Sequence, residues 1–144
     1  MASGARAPAP AGRRAGSTAS WWWRWGPVLA AMAAIFVASN TPNLGDLPGG
    51  MSDKTAHVLA YAGLTLLVLR ATSGMRWSGV TARSALAAWL VAVGYGVSDE
   101  VHQRFVPGRT AALDDLAADA IGAALAVALV FLAARVLKRP DRAV

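Results

Sequence analysis

Four apolar stretches, from about Trp22 to Ser39, Thr55 to Leu69, Ala82 to Val97 and Leu116 to Ala134, divide this chain of 144 residues. Each approaches the roughly 20 residues that a helix rising about 1.5 Å per residue needs to cross a ~30 Å hydrocarbon layer. The second and third reach that length when their polar flanks, Asp53 to His57 and Ser98 to Arg104, continue the helices into the headgroup layer. Breakers stand between the stretches: Asn40-Thr-Pro-Asn-Leu-Gly with Pro48-Gly-Gly, then Ser73-Gly74, then Pro107-Gly108. Pro107 ends the third helix near Phe105, and Thr110 or Asp114 is the expected N-cap of the fourth. With 56% hydrophobic and only 15% charged residues, the chain is too apolar for an ordinary soluble domain of this size. The expected fold is an all-α, integral membrane four-helix bundle.

The formal charge of +6 suits nucleic acid or acidic lipid, and the placement of the basic residues decides between them. Eleven of the fourteen lie on one side of the four helices: Arg6, Arg13, Arg14 and Arg24, then Arg70, Arg76 and Arg83, then Arg135, Lys138, Arg139 and Arg142. Lys54, Arg104 and Arg109 lie on the other. Basic residues collect on the cytoplasmic face, so both termini are expected in the cytoplasm of a multi-pass protein of the cytoplasmic membrane. Trp21, Trp22, Trp23 and Trp25 then anchor the first helix at the inner interface. No stacking surface accompanies the arginines, so membrane lipid and not nucleic acid is the expected partner.

Residues 1–20 hold no large aliphatic or aromatic side chain beyond the starting Met and are expected to form a disordered basic tail. The helical domain is expected over 21–138, followed by a short basic tail over 139–144. A basic start, an apolar run and Val37-Ala38-Ser39 also resemble a secretory signal with its cleavage site. The loop that follows opens no soluble domain, and removing the first helix would break the even topology that the charges support.

Six of the eight acidic residues, Asp53, Asp99, Glu100, Asp114, Asp115 and Asp119, and both histidines gather at helix ends on the sparsely basic side. Asp53, His57 and Tyr61 are spaced i, i+4, i+8 and share one face of the second helix. At the end of the third, Asp99 reaches His102 and Gln103, while Glu100 can pair with Arg104. Arg109, Asp114, Asp115 and Asp119 follow, with Asp115 and Asp119 on one face. Ionisable groups near hydrocarbon are costly unless paired or hydrated, so these three polar ends are expected to face each other. Asp53, Asp114 and Asp115 are also explained by the preference of helix starts for carboxylates. Asp119 lies deeper and calls for a specific partner, with His57 and Arg109 as candidates. Gly63, Gly94, Gly96 and Gly122 are expected to permit close helix packing.

The chain lacks cysteine, which excludes disulfides, thiolate nucleophiles and zinc–thiolate sites. It also lacks a phosphate-binding glycine loop, His-Glu-x-x-His and Gly-x-Ser-x-Gly. Its histidines and carboxylates show no characteristic metal-ligand spacing, so neither a metal nor another cofactor is assigned.

Three blocks carry a family resemblance. They are Asp53-Lys54-x-x-His57-x-x-x-Tyr61-x-x-Leu64, then Asp99-Glu100-x-His102-Gln103-x-Phe105-x-Pro107-Gly108-Arg109, then Asp115-x-x-x-Asp119-x-x-Gly122. In order and separation they resemble the VanZ-like family of small bacterial membrane proteins. Ala112 stands where that family often has Ser, and Asp119 where Asn is common. The resemblance implies a multi-helix protein of the cell envelope, and the family's namesake is linked to resistance to the glycopeptide teicoplanin.

The expected site is an outward-facing polar cluster of Asp53, His57, Tyr61, Asp99, Glu100, His102, Gln103, Arg109, Asp115 and Asp119. Its first expected role is non-enzymatic, binding a lipid-linked cell-wall precursor or a glycopeptide antibiotic, with Arg109 on phosphate or carboxylate. The alternative is an intramembrane enzyme acting on a cell-wall or lipid precursor through a histidine and carboxylate acid–base pair.

Overall fold

The computed structural model of the chain describes residues 18–42 and 48–137. Residues 1–17 of the expected N-terminal tail, residue 138 with the expected C-terminal tail over 139–144, and part of the first loop lie outside the described residues, while residues 18–20, also expected in the tail, open the first helix. Four helices account for most of the rest: α1 (Thr18–Ser39), α2 (Asp53–Thr72), α3 (Ala82–Gln103) and α4 (Leu113–Leu137). No strand is present among the described residues.

The polar flanks do extend the helices. Asp53 opens α2 behind a Ser52 N-cap whose hydroxyl accepts the Thr55 N–H, and α3 continues through Asp99 and Glu100 to Gln103. Thr81 and Ser84 form a reciprocal capping box at the start of α3, satisfying backbone donors that the first turn leaves without helical partners. The expected caps of α4 are corrected. Neither Thr110 nor Asp114 precedes it; Ala112 does, and its carbonyl accepts from the N–H groups of Asp115 and Leu116.

Helix α2 packs against each of the other three, and α3 packs against both α1 and α4. The core side chains of α2, Tyr61, Leu64, Thr65, Val68, Leu69 and Ala71, recur at helical spacing. They meet a stripe of small residues on α3, Ala85, Ala88, Ala92 and Gly96, and Ala118, Ala123 and Ala126 on α4. Small residues bring helix axes together where the surroundings offer no water to exclude, because close backbone approach multiplies dispersion contacts. Larger apolar side chains turn outward instead, among them Leu59, Leu86, Leu90, Val97, Leu125 and Leu129. Two helices, Asp53–Thr72 and Leu113–Arg135, are long and apolar enough to cross a membrane.

Polar side chains tie the helices at several levels. The Tyr95 hydroxyl donates to the Met32 carbonyl at 2.6 Å, joining α3 to α1, and Trp89 Nε1 donates to the Ala120 carbonyl at 3.2 Å, joining α3 to α4. At the end where α1 starts and α2 finishes, Arg24 donates from Nη2 to the Ala71 carbonyl at 2.8 Å and from Nε at 3.2 Å. That guanidinium satisfies an acceptor which the last turn of α2 leaves without a helical donor.

Two of the four singled-out glycines have the expected packing role. A Cβ on Gly122 would overlap the Val58 carbonyl, and one on Gly96 would stand 2.6 Å from Asp119 Oδ2. Gly63 and Gly94 face open space, so the expectation of close packing is wrong for them. Periodicity gives a helix its faces but does not tell which face meets a neighbour.

Candidate functional site

The start of α2, the end of α3 and the start of α4 meet at one end of the bundle, together with the last turn of α1. The central contact joins α2 to α4. His57 Nδ1 lies 2.8 Å from Asp119 Oδ1, and Asp119 is wholly buried while the His57 side chain is 11% exposed. Of the two partners expected for Asp119, His57 is therefore the one found. The approach needs Gly122, one turn beyond Asp119, and Gly96, which leaves room for the carboxylate. With Nδ1 committed, Nε2 is the nitrogen directed toward Asp53, whose Oδ2 lies 3.9 Å away. The Tyr61 ring stacks below the imidazole at a centroid distance of 6.2 Å and an interplanar angle of 3°.

A second set of contacts joins α3 to α1. Asp99 Oδ2 accepts from the Ser39 hydroxyl at 2.7 Å and from Gln103 Nε2 at 3.1 Å, all three residues being buried. Asp99 was expected to reach His102 as well; the imidazole instead packs on Phe36 with ring centroids 4.7 Å apart. One turn of helix separates Asp99 from both neighbours, and burial of Gln103 selects the one that continues into the bundle. His102 is thus the member of the expected cluster that stands aside from it. Arg109 folds back over the same place, its Nε donating to the Ser39 carbonyl at 3.3 Å. The reversal runs through Gly108, whose φ of +83° is ordinary for glycine and costly for other residues.

Glu100 corrects another expectation. It is not paired with an exposed Arg104 but buried, and its Oε2 accepts the Ala112 N–H at 2.7 Å. The carboxylate thereby fixes the residue before α4, at the position where sequence pattern suggested a side-chain cap. Lys54 bridges from α2 to the start of α4, pairing with Asp114 and reaching Asp115 Oδ1 at 3.4 Å.

Beside these contacts is an open-sided cavity of about 80 Å³ lined by Ser39, Asp53, His57, Tyr61, Asp99 and Arg109 with apolar residues of α1 and α2. Two lining residues bring buried polar atoms without a hydrogen-bond partner, Tyr61 Oη and Asp99 Oδ1. Such atoms are costly to bury unmatched, and both belong to residues that line this cavity. Asp119 supports it from α4 through His57, Gln103 braces Asp99, Glu100 holds the entry to α4, and Asp115 engages Lys54 instead. Sequence reasoning missed Ser39. It read as part of a cleavage-site pattern, whereas it is 4% exposed and joins Asp99 and Arg109.

No curated protein and no solved structure matches the chain significantly. The VanZ/LLP1 family model matches residues 17–134, which contain all four helices up to the last turn of α4 and every residue of this cluster. The conjunction of that match with the three polar blocks, now seen to converge in space, means that the chain belongs to the VanZ/LLP1 family.

Proposed function

We propose that this VanZ/LLP1 protein spans the cytoplasmic membrane with four helices, keeps both termini in the cytoplasm and binds the head of a lipid-linked envelope precursor in the cavity. What supports the topology is the count of eleven basic residues against three, with the polar cluster on the poor side and therefore outside. The ring of outward-turned Leu and Val side chains suits a lipid surround.

The single observation that carries the binding reading is the pair of unmatched buried atoms, Tyr61 Oη and Asp99 Oδ1, on residues that line one cavity with Arg109. A hydroxyl of the ligand would donate to Asp99, and an anionic oxygen would take Arg109. Size favours a headgroup over a whole glycopeptide. Drug-sized ligands fill roughly 300–1,000 Å³, whereas about 80 Å³ admits one small terminal group with the rest of the molecule left at the interface. A link to teicoplanin resistance would then act through the precursor.

The test uses the full chain in nanodiscs with a polyprenyl-pyrophosphate-linked muropeptide as probe, read by native mass spectrometry. Wild type is expected to bind it, while Arg109→Ala and Asp99→Asn weaken binding in protein that still melts cooperatively. Equal binding by all three would overturn the reading. Teicoplanin sensitivity of cells expressing each variant gives a second readout, and it should follow the binding.

The enzymatic alternative draws support from a different observation, the buried Asp119 that orients His57 and leaves Nε2 toward the cavity. That is the arrangement a histidine general base requires. Turnover of the same probe, lost in His57→Gln with binding retained, would favour it over binding alone.

A further inference from the structure

We infer that Asp53, His57 and Asp115 form a binding site for one divalent transition-metal ion. This goes beyond the headgroup reading and does not depend on it. Sequence spacing suggested no metal, because the third ligand comes from another helix. In space, one ligand atom from each of the three residues lies within 4.8 Å of the others.

The histidine is prepared for the task. Asp119 engages Nδ1 at 2.8 Å, which leaves Nε2 to coordinate. A buried carboxylate holding the far nitrogen of a ligating imidazole fixes the ring and raises its basicity. Asp53 Oδ2 stands 3.9 Å from Nε2, too far for a hydrogen bond. With metal–ligand bonds of about 2.0–2.2 Å, two ligands of one ion sit roughly 3–3.5 Å apart. Asp53 has a half-exposed side chain and can rotate through the difference. Asp115 is reached by Lys54 only at 3.4 Å, and Lys54 has Asp114 as its nearer partner.

The unmatched atoms supply an independent indication. Asp99 and Tyr61, 4% and 1% exposed, line the same cavity as Asp53 and His57 and carry Oδ1 and Oη without partners. Three protein ligands leave a coordination position open to water, and the cavity that Asp53 and His57 line is also lined by the residues that carry these two unmatched atoms. Charge points the same way. Six carboxylates, from Asp53, Asp99, Glu100, Asp114, Asp115 and Asp119, belong to the helix ends that meet here, while Lys54 pairs with Asp114 and Asp115 and Arg109 donates to a backbone carbonyl, so a dication offsets part of the excess. One imidazole with two carboxylates suits zinc or manganese better than calcium or magnesium, which favour all-oxygen sites.

The experiment takes the full chain in nanodiscs, stripped with chelator, and titrates it with Zn²⁺ alone, bound metal being counted by elemental analysis. Wild type is expected to take up one ion per chain, with Mg²⁺ failing to compete at equal concentration. Asp119→Asn, which weakens the support of His57, is expected to cost about 10–100-fold in affinity. Asp53→Asn and His57→Ala are expected to cost more, and His102→Gln to cost nothing. Less than one ion per folded wild-type chain, or unchanged affinity in Asp53→Asn, would overturn the assignment. Asp53 is half-exposed and does not pack in the core, so its variant remains decisive should His57→Ala fail to fold.

Discussion

Gly122 lies directly against the backbone carbonyl of Val58, and this contact sets the distance across which His57 and Asp119 meet. His57 precedes Val58 by one residue and Asp119 precedes Gly122 by one turn, so helix packing and the polar contact are the same structural event. A side chain at residue 122 would push α4 from α2 at the level of the site.

Gly122→Ala should therefore destabilise the protein, because the added methyl meets backbone and not a side chain able to rotate away. Overpacking of this kind costs about 1–3 kcal/mol. Gly63→Ala and Gly94→Ala, where nothing lies within 4 Å, should be neutral or gain roughly 0.5–1 kcal/mol from helix propensity. Melting curves of the three variants in one detergent check the contrast.

The pair formed by His57 and Asp119 should show strong coupling in a double-mutant cycle. Asp119→Leu leaves a largely buried imidazole without its partner, at a cost of about 1–3 kcal/mol for the unmatched polar group. Adding His57→Leu removes the stranded group and should restore part of the loss. Purely additive melting shifts would show that the contact contributes no stability of its own.

Ser39→Ala should lower stability by roughly 1.5–3 kcal/mol, the range for a hydrogen bond to a charged acceptor. Asp99 would keep Gln103 as its donor to Oδ2, so the fold should survive. Ser39→Cys is a weaker replacement, since a thiol is a poor donor. Thermal denaturation ranks the two. Mass spectrometry of the expressed chain also checks that α1 stays attached, as expected of a helix whose last residue is bonded into the core.

Topology can be read without disturbing the native sequence further, because the chain has no cysteine. A membrane-impermeant maleimide should label Thr110→Cys, in the turn between α3 and α4, in intact cells. Ser78→Cys, in the turn between α2 and α3, should react only after lysis. The reverse pattern would place the polar cluster in the cytoplasm and remove the basis for an envelope ligand.

Sequence by itself determined the helices. Apolar runs bounded by Pro, Gly and Asn clusters located all four, and the polar flanks correctly extended α2 and α3, because helix length and hydrophobic spacing are local properties of a chain. It also collected most of the cluster, since burying ionisable groups requires that they converge. Pairing was decided by the tertiary structure. Asp99 had two partners within reach along α3 and Glu100 had Arg104, yet burial turned Asp99 to Gln103 and Ser39, and Glu100 to the Ala112 N–H. Ser39 has no local pattern that marks it, because its role depends on which helix lies beside α1. Asp53, His57 and Asp115 come together only because Gly122 lets α4 approach α2, a relation between helix faces that spacing along one helix does not contain.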